Sequence, residues 1–300
     1  MIKSAEIIIY PLSDLIRYLS LSFASWIDRY YLKNHNLITP DKETEDHRLI
    51  PRTGDEHEHA ILAELELSDQ QIIRRERSNF NENIARTIMA FAERPAIIYQ
   101  TALADDHFAG YADFLILGED GHYQVWDTKL ARPPKHYYAV QLCCYGEMYG
   151  ATSGEPVPEK FGVILGSGQR LEFRTEDIFH NYRWLKDRFL DMQHHFTGQL
   201  KDRPETLPGA NHGRWAFYAN KYLANANHLV LVAGLTTGQF MKLVASRISS
   251  IEPLGSAAEK TIPKLTRETL IKLINHQLFR PPGTDRPANT GEGQKRTAEH

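Results

Sequence analysis

Residues 108–130 read FAGYADFLILGEDGHYQVWDTKL, two apolar runs separated by Gly118-Glu119-Asp120-Gly121. Runs rich in Phe, Tyr, Ile, Leu and Val around a Gly- and Asp-containing turn have the pattern of a β-hairpin. Asp127 and Lys129 stand two apart on the second run, so they project from one face of the strand. Trp126 and Thr128 face the other way. With the turn centred near residues 119–121, Asp113 falls opposite a residue between 126 and 128. Asp113 and Asp127 are therefore expected close together among apolar neighbours. Two carboxylates in such a place repel each other, and a divalent cation resolves the repulsion. Lys129 beside them is placed to orient or deprotonate a water. Metal and activated water are the minimum equipment for phosphodiester hydrolysis. An Asp-x-Lys pair alone is a weak signal, because such pairs are common on solvated strand faces. The upstream strand Asp and the helix that follows give it weight.

Outward from the hairpin, residues 96–103 read as a third strand. Residues 161–165 and 170–173 read as another strand pair around Gly166-Ser167-Gly168. Apolar spacing predicts helices over 13–32, 55–67, 80–93, 136–150 and 175–199. The polar, Pro-punctuated stretch 33–53 reads as a loop, and 213–278 reads as helical. Residues 281–300, rich in Pro, Gly, Thr and charge, read as a disordered tail. The expectation is an α/β (α+β) fold, a central mixed sheet flanked by helices with helical additions at both ends. The expected divisions are 1–53, 54–200, 201–280 and 281–300.

The 300 residues include 42% hydrophobic and 24% charged side chains, with a formal net charge of −3. Such a balance suits a globular chain and excludes a uniformly basic nucleic-acid coat, so any phosphate contact needs a local patch. The only cysteines, Cys143 and Cys144, are adjacent, which speaks against a disulfide framework or a structural zinc site. The apolar stretch near the N-terminus is too short for a membrane span and lacks a signal-peptide pattern. A cytoplasmic protein with no membrane partner is expected.

Further candidates surround the hairpin. Gln141 and Tyr145, spaced i, i+4, share one face of the next helix and could aim an amide and a phenol at the site. His57, at the opening of the second helix, could supply an imidazole to the metal, against the alternative that it is one of 14 ordinary histidines. Among basic stretches (Arg74-Arg75-Glu76-Arg77, Arg132 with Lys135, Arg214 with Lys221), Arg132 and Lys135 rank first for meeting phosphates. They directly follow the Asp127–Lys129 strand.

Four motifs in order, Gly-x-x-His-Glu at 54–58, Gly-x-x-Asp at 110–113, Asp-Thr-Lys-Leu at 127–130 and Gln-x-x-x-Tyr at 141–145, resemble the RecB-like nucleases of the PD-(D/E)xK group. These include CRISPR-associated RecB-like exonucleases and bacterial RecB-like nucleases fused to helicase-type regions. The resemblance extends from Ser13 to about residue 250 and takes in Trp26-Ile27-Asp28, Arg214-Trp215 and His228-Leu229. It implies a restriction-endonuclease-like core and metal-dependent DNA cleavage with Mg²⁺ or Mn²⁺, in repair or anti-phage defence. It further implies Asp113, Asp127 and His57 as metal ligands, Lys129 as the catalytic lysine, and Gln141 and Tyr145 in substrate binding or positioning. Since Lys is no ligand, its removal should leave metal binding largely intact.

The chain departs from this pattern at the four cysteines that bind an iron–sulfur cluster in many relatives. Those positions fall at Leu21, Ala210, Gly213 and Ala219, so no cluster is expected. Ordinary packing by Phe23, Trp26, Trp215 and Phe217 is expected to fill the junction instead. Larger relatives continue into further nuclease-like or helicase-like regions, which suggests a helicase or another defence or repair subunit as partner. The competing reading is a catalytically inactive nucleic-acid-binding or scaffold subunit that keeps the fold. The intact Asp113, Asp127 and Lys129 speak against it. A small-molecule enzyme has no motif behind it.

Overall fold

A computed structural model describes residues 2–4, 7–42, 45–67, 71–74 and 79–278. The chain divides into two compact units. The larger comprises Met1–Thr206 with Ala210–Ala219, the smaller Leu207–Gly209 with Asn220–His300. Segments 1–53 and 54–200 thus fold into one unit, and the tail expected over 281–300 lies outside the described residues.

The larger unit is built on a mixed sheet. Its strands are β1 (Ile2–Ser4), β2 (Ile7–Pro11), β3 (Ile72–Arg74), β4 (Ile97–Ala104), β5 (Phe108–Leu117), β6 (Tyr123–Lys129), β7 (Lys160–Leu165) and β8 (Arg170–Arg174). The order is β1-β2-β5-β6-β7-β8, with β4 on the other edge of β5 and β3 beyond β4. β4 covers β5 from Ala109 to Ile116, antiparallel. The opposite edge of β5 is shared. β2 runs parallel to Phe108 and Ala109, and β6 runs antiparallel to Phe114 through Leu117. Residues 110–113 lie in the gap between these two ladders, where the sheet forks. β6 and β7 are parallel, so a crossover must join them, and α5 (His136–Ser153) supplies it.

Alternation sorts the strand residues between two faces. Val125, Val163 and Leu165 join a core with Leu142, Met148 and Tyr149 of α5, Tyr182 and Phe189 of α6 (Thr175–His194), and Leu12 and Leu15 of α1 (Leu12–Ser20). Phe114, Trp126 and Ile164 meet Ile61, Leu62 and Leu65 of α3 (Glu45–Glu66) on the other face. Fully burying one such side chain contributes about 1.5–3 kcal/mol. Trp126 stands opposite Gly162 across the β6–β7 pair, and a Cβ there would lie 2.1 Å from Trp126 Cδ2. Only glycine admits the indole at that position. Cys143 and Cys144 are free and buried, and burial pushes both thiols up, Cys143 to about 12.

Several boundaries differ from the sequence expectation. The helix expected over 13–32 is two, α1 and α2 (Ser22–Lys33), broken where Leu21 turns extended at φ −163°. No Pro or Gly marks the break. Leu21 is buried there, and the Ser20 hydroxyl bonds back to the Ile16 carbonyl at 3.0 Å, a local competitor for the helix backbone. The loop expected over 33–53 is overturned in its second half, because α3 begins at Glu45 and runs through Pro51. α4 (Phe80–Glu93) matches its expected span, with Asn79 accepting from the N–H groups of Asn81 and Glu82 as its cap. α6 stops at His194, short of the expected 199, and Gly198 beyond it has φ +75°.

α2 packs against the 3₁₀ turn Gly213–Trp215, and the contact centres on Asp28. This buried carboxylate accepts from Trp215 Nε1 at 2.8 Å and Arg214 Nε at 3.1 Å, and pairs with Arg17. Phe23, Trp26 and Trp215 are buried as expected. Phe217 is 72% exposed and so contributes no packing, which corrects that expectation.

The smaller unit has its own core, including Leu229, Phe240, Leu243, Leu254 and Leu270. The expected run of helix over 213–278 is a set of short pieces: α7 (Ala216–Asn225, which crosses the division), α8 (Thr237–Ala245), α9 (Ile251–Gly255) and α10 (Arg267–Leu278). Thr236 and Gln239 form a reciprocal cap on α8. Among the described residues no helix is long and apolar enough to cross a membrane.

Candidate active site

The fork in the sheet positions the acids. Phe114 pairs with Trp126, so Asp113 and Asp127 come next to each other as the two strands part. The Asp113 side chain takes over where the ladder ends. Its Oδ2 accepts from the Thr128 N–H at 2.8 Å and from the Thr128 hydroxyl at 2.9 Å. β4 is distorted at the same level. Gln100, opposite Asp113 between the pairs Tyr99–Phe114 and Thr101–Ala112, has φ +55° in mid-strand. The alternation slips there, and Ile98 and Leu103, an odd number apart, enter the same core. A non-glycine residue in this conformation costs of order 1–3 kcal/mol, which the surrounding packing must hold in place.

Asp127 is the buried member of the pair. Its Oδ1 accepts from Gln141 Nε2 of α5 at 3.1 Å. Its Oδ2 lies against the Lys129 ammonium in an ion pair. The side chains of Lys129 and Asp127 are 20% and 4% exposed. Burial, then the Asp113 carboxylate, pushes Asp127 up to about 8, against the opposing pull of Lys129. Burial by itself would lower Lys129, but Asp127 and Asp113 more than offset it, so its pKa is raised. Lys129 Nζ also lies 5.6 Å from the centre of the Tyr138 ring.

The remaining expected residues fall as follows. Tyr145, one turn on from Gln141, is buried with its ring over Gly110, where a Cβ would lie 3.5 Å from Cε1. The Gln-x-x-x-Tyr face therefore spans both strands of the fork, the amide on Asp127 and the ring on β5. Arg132 and Lys135 are exposed on the segment between β6 and α5, and Lys135 Nζ lies 5.9 Å from the Tyr137 ring centre. Arg74 is tied to Glu66, and residues 75–77 lie outside the described residues. His57 is partly buried on α3 with Nε2 unpartnered. It does not complete a ligand group: among the described residues no three His, Cys, Asp or Glu are close enough to hold a metal ion.

The neighbour of His57 is better placed. Glu58 is buried and accepts from the Gln100 amide. Burial raises the Tyr99 phenol, and the Glu58 and Asp113 carboxylates raise it further, so both acids act on one neighbourhood. The signal was present in the sequence: 58, 61, 62 and 65 form one helical stripe, and Glu58 is the acid in an otherwise apolar row. Gln100 and Thr128 carry no such signal, since their roles come from the distorted strand and the fork.

The assembly can hold cationic charge between two carboxylates and present an ammonium beside it. No protein-family model matches the chain, and no curated protein is similar to it.

Proposed function

We propose that this chain is a metal-dependent nuclease of the PD-(D/E)xK kind that hydrolyses DNA phosphodiester bonds. The observation that carries the reading is the convergence of Asp113, Asp127 and Lys129 at the fork, with Gln141 fixing one carboxylate and Thr128 the other. The residues suit a divalent cation such as Mg²⁺ or Mn²⁺. Burial, and then repulsion from Asp113, raises Asp127, and its Oδ2 faces only the Lys129 ammonium. A bound ion would neutralise both carboxylates and polarise a phosphodiester.

The protein's own groups do the rest. The Gln141 amide and the Thr128 N–H and hydroxyl hold the carboxylates in fixed orientations, so little reorganisation is needed at the moment of reaction. Lys129, with a raised pKa, is an ammonium at neutral pH. In that form it donates to the attacking water or to phosphate oxygens. The exposed Arg132 and Lys135 lead away from the site and suit a DNA backbone.

Incubation with labelled single- and double-stranded DNA, with Mg²⁺, Mn²⁺ or chelator, tests the reading. Cleavage should need the ion and should be lost in Asp113→Ala, Asp127→Ala and Lys129→Ala. Equal cutting by all three variants would refute the assignment. DNA binding without cutting by the parent would favour the scaffold reading.

A further inference from the structure

A second cleft, of about 560 Å³, opens between β2, the turn before β5, α2 and the last turns of α6. Its lining includes Tyr10, Arg29, His107, Asp191, Gln193 and His194. Tyr10 pairs with Phe108, five residues before Asp113, so the cleft lies about 16 Å along β5 from the candidate active site.

Two polar groups in this cleft lack partners. The Gln193 side chain is 3% exposed, and neither its amide nitrogen nor its amide oxygen has a hydrogen bond among the described residues. Arg29 Nε is buried and likewise unpaired. The Arg29 guanidinium lies 5.5 Å from the Phe196 ring centre, and its charge acts on the Tyr10 phenol. Buried polar groups are almost always satisfied, so an unmet carboxamide and an unmet guanidinium Nε lining one cleft mark a place where something binds. Asp191, the acid among these residues, is engaged by the His195 imidazole at 2.9 Å and does not neutralise Arg29.

The chemistry selects the ligand. A guanidinium N–H calls for an oxyanion oxygen. A carboxamide with donor and acceptor both free calls for a donor beside an acceptor, the pattern of a nucleobase edge. The exposed imidazoles of His107 and His194 add flat surfaces. The geometry points to a nucleoside monophosphate as the ligand of this cleft, its phosphate on Arg29 and its base edge on Gln193. The inference is separate from the nuclease reading, because no residue of the fork takes part.

Calorimetric titration of the full chain with AMP, adenosine and inorganic phosphate tests it. AMP should bind, with adenosine and phosphate each about tenfold or more weaker. Gln193→Leu and Arg29→Met should each weaken AMP about tenfold or more, while Lys129→Met leaves it unchanged. If Arg29→Met fails to fold, Arg29→Lys keeps the charge but loses the planar fork, and should also weaken AMP. The proposal is overturned if folded parent protein shows no binding at millimolar AMP. It is overturned as well if phosphate alone binds as tightly as AMP, if the cleft variants bind like the parent, or if Lys129→Met abolishes binding.

Discussion

Replacing Lys129 with Met keeps the length of the side chain and removes its charge. The Lys129 ammonium lies against Asp127 Oδ2, the oxygen that a divalent ion would also use. Lysine and ion therefore compete. Opposite unit charges about 4 Å apart attract by about 4 kcal/mol at an effective dielectric of about 20. Screening trims this only modestly, because the two side chains are 20% and 4% exposed. Once displaced, Lys129 would still feel both carboxylates, so about a third to a half of the attraction opposes ion binding. That share, about 1.4–2 kcal/mol, corresponds to roughly ten- to thirtyfold in affinity. Lys129→Met should thus bind Mn²⁺ about tenfold or more tightly than the parent while losing cleavage. The sequence alone led to the expectation of unchanged binding. Calorimetry with Mn²⁺ at about pH 9, above the Asp127 pKa of about 8 so that the carboxylate is charged in the parent, beside an Asp127→Asn control that should bind weakly, decides between them. Affinity equal to or below that of the parent would refute the competition.

Asp28→Ala leaves the buried Trp215 indole N–H without its acceptor and releases the part-exposed Arg17 and Arg214 guanidiniums, and should destabilise the larger unit by about 1–3 kcal/mol. Urea unfolding followed by Trp fluorescence would show it, and a loss below about 1 kcal/mol would remove Asp28 from the account. Arg132→Glu with Lys135→Glu should weaken DNA binding and make its log–log salt dependence shallower by about two. An equal charge change after Pro281 serves as control, and equal effects would discard the patch. Glu155 is held below its ordinary pKa of 4.5, first by the Tyr149 hydroxyl and then by His122 and Arg94. A depressed carboxylate stabilises the fold above its unfolded pKa, and that contribution is lost as pH falls through the folded value. Acidification from about pH 6 to about pH 3 should therefore lower the Tm of the parent more than that of Glu155→Gln, as read by circular dichroism; parallel curves would contradict the shift.

The hairpin was legible because both determinants are local. The turn residues 118–121 and the alternation on either side fix which residues face each other, and Asp113 meets Asp127 as the count from the turn implies. α4 was equally legible from its apolar spacing. The break at Leu21 was not, because apolar spacing continues on both sides and the cause is burial of that one side chain. The start of α3 was missed because polar composition and Pro51 were weighed as loop signals, while the helix is carried onward by the row that packs on the sheet. Glu58, the acid that the same helix buries, is a less familiar ligand type than its neighbour His57. Gln100 was invisible, since its left-handed backbone is imposed by the strands around it.

The Asp28 cluster also bears on where this chain can be cut. α6 ends at His194, and a fragment trimmed a few residues beyond it would contain every strand and all of Asp113, Asp127, Lys129 and Gln141. Such a fragment would nonetheless lack Arg214 and Trp215, leaving a buried carboxylate in α2 with Arg17 as its remaining cation. The N-terminal helices are thus fastened by residues almost two hundred positions downstream. A minimal version of the larger unit has to run past Trp215, although the last strand among the described residues ends some forty residues earlier, at Arg174.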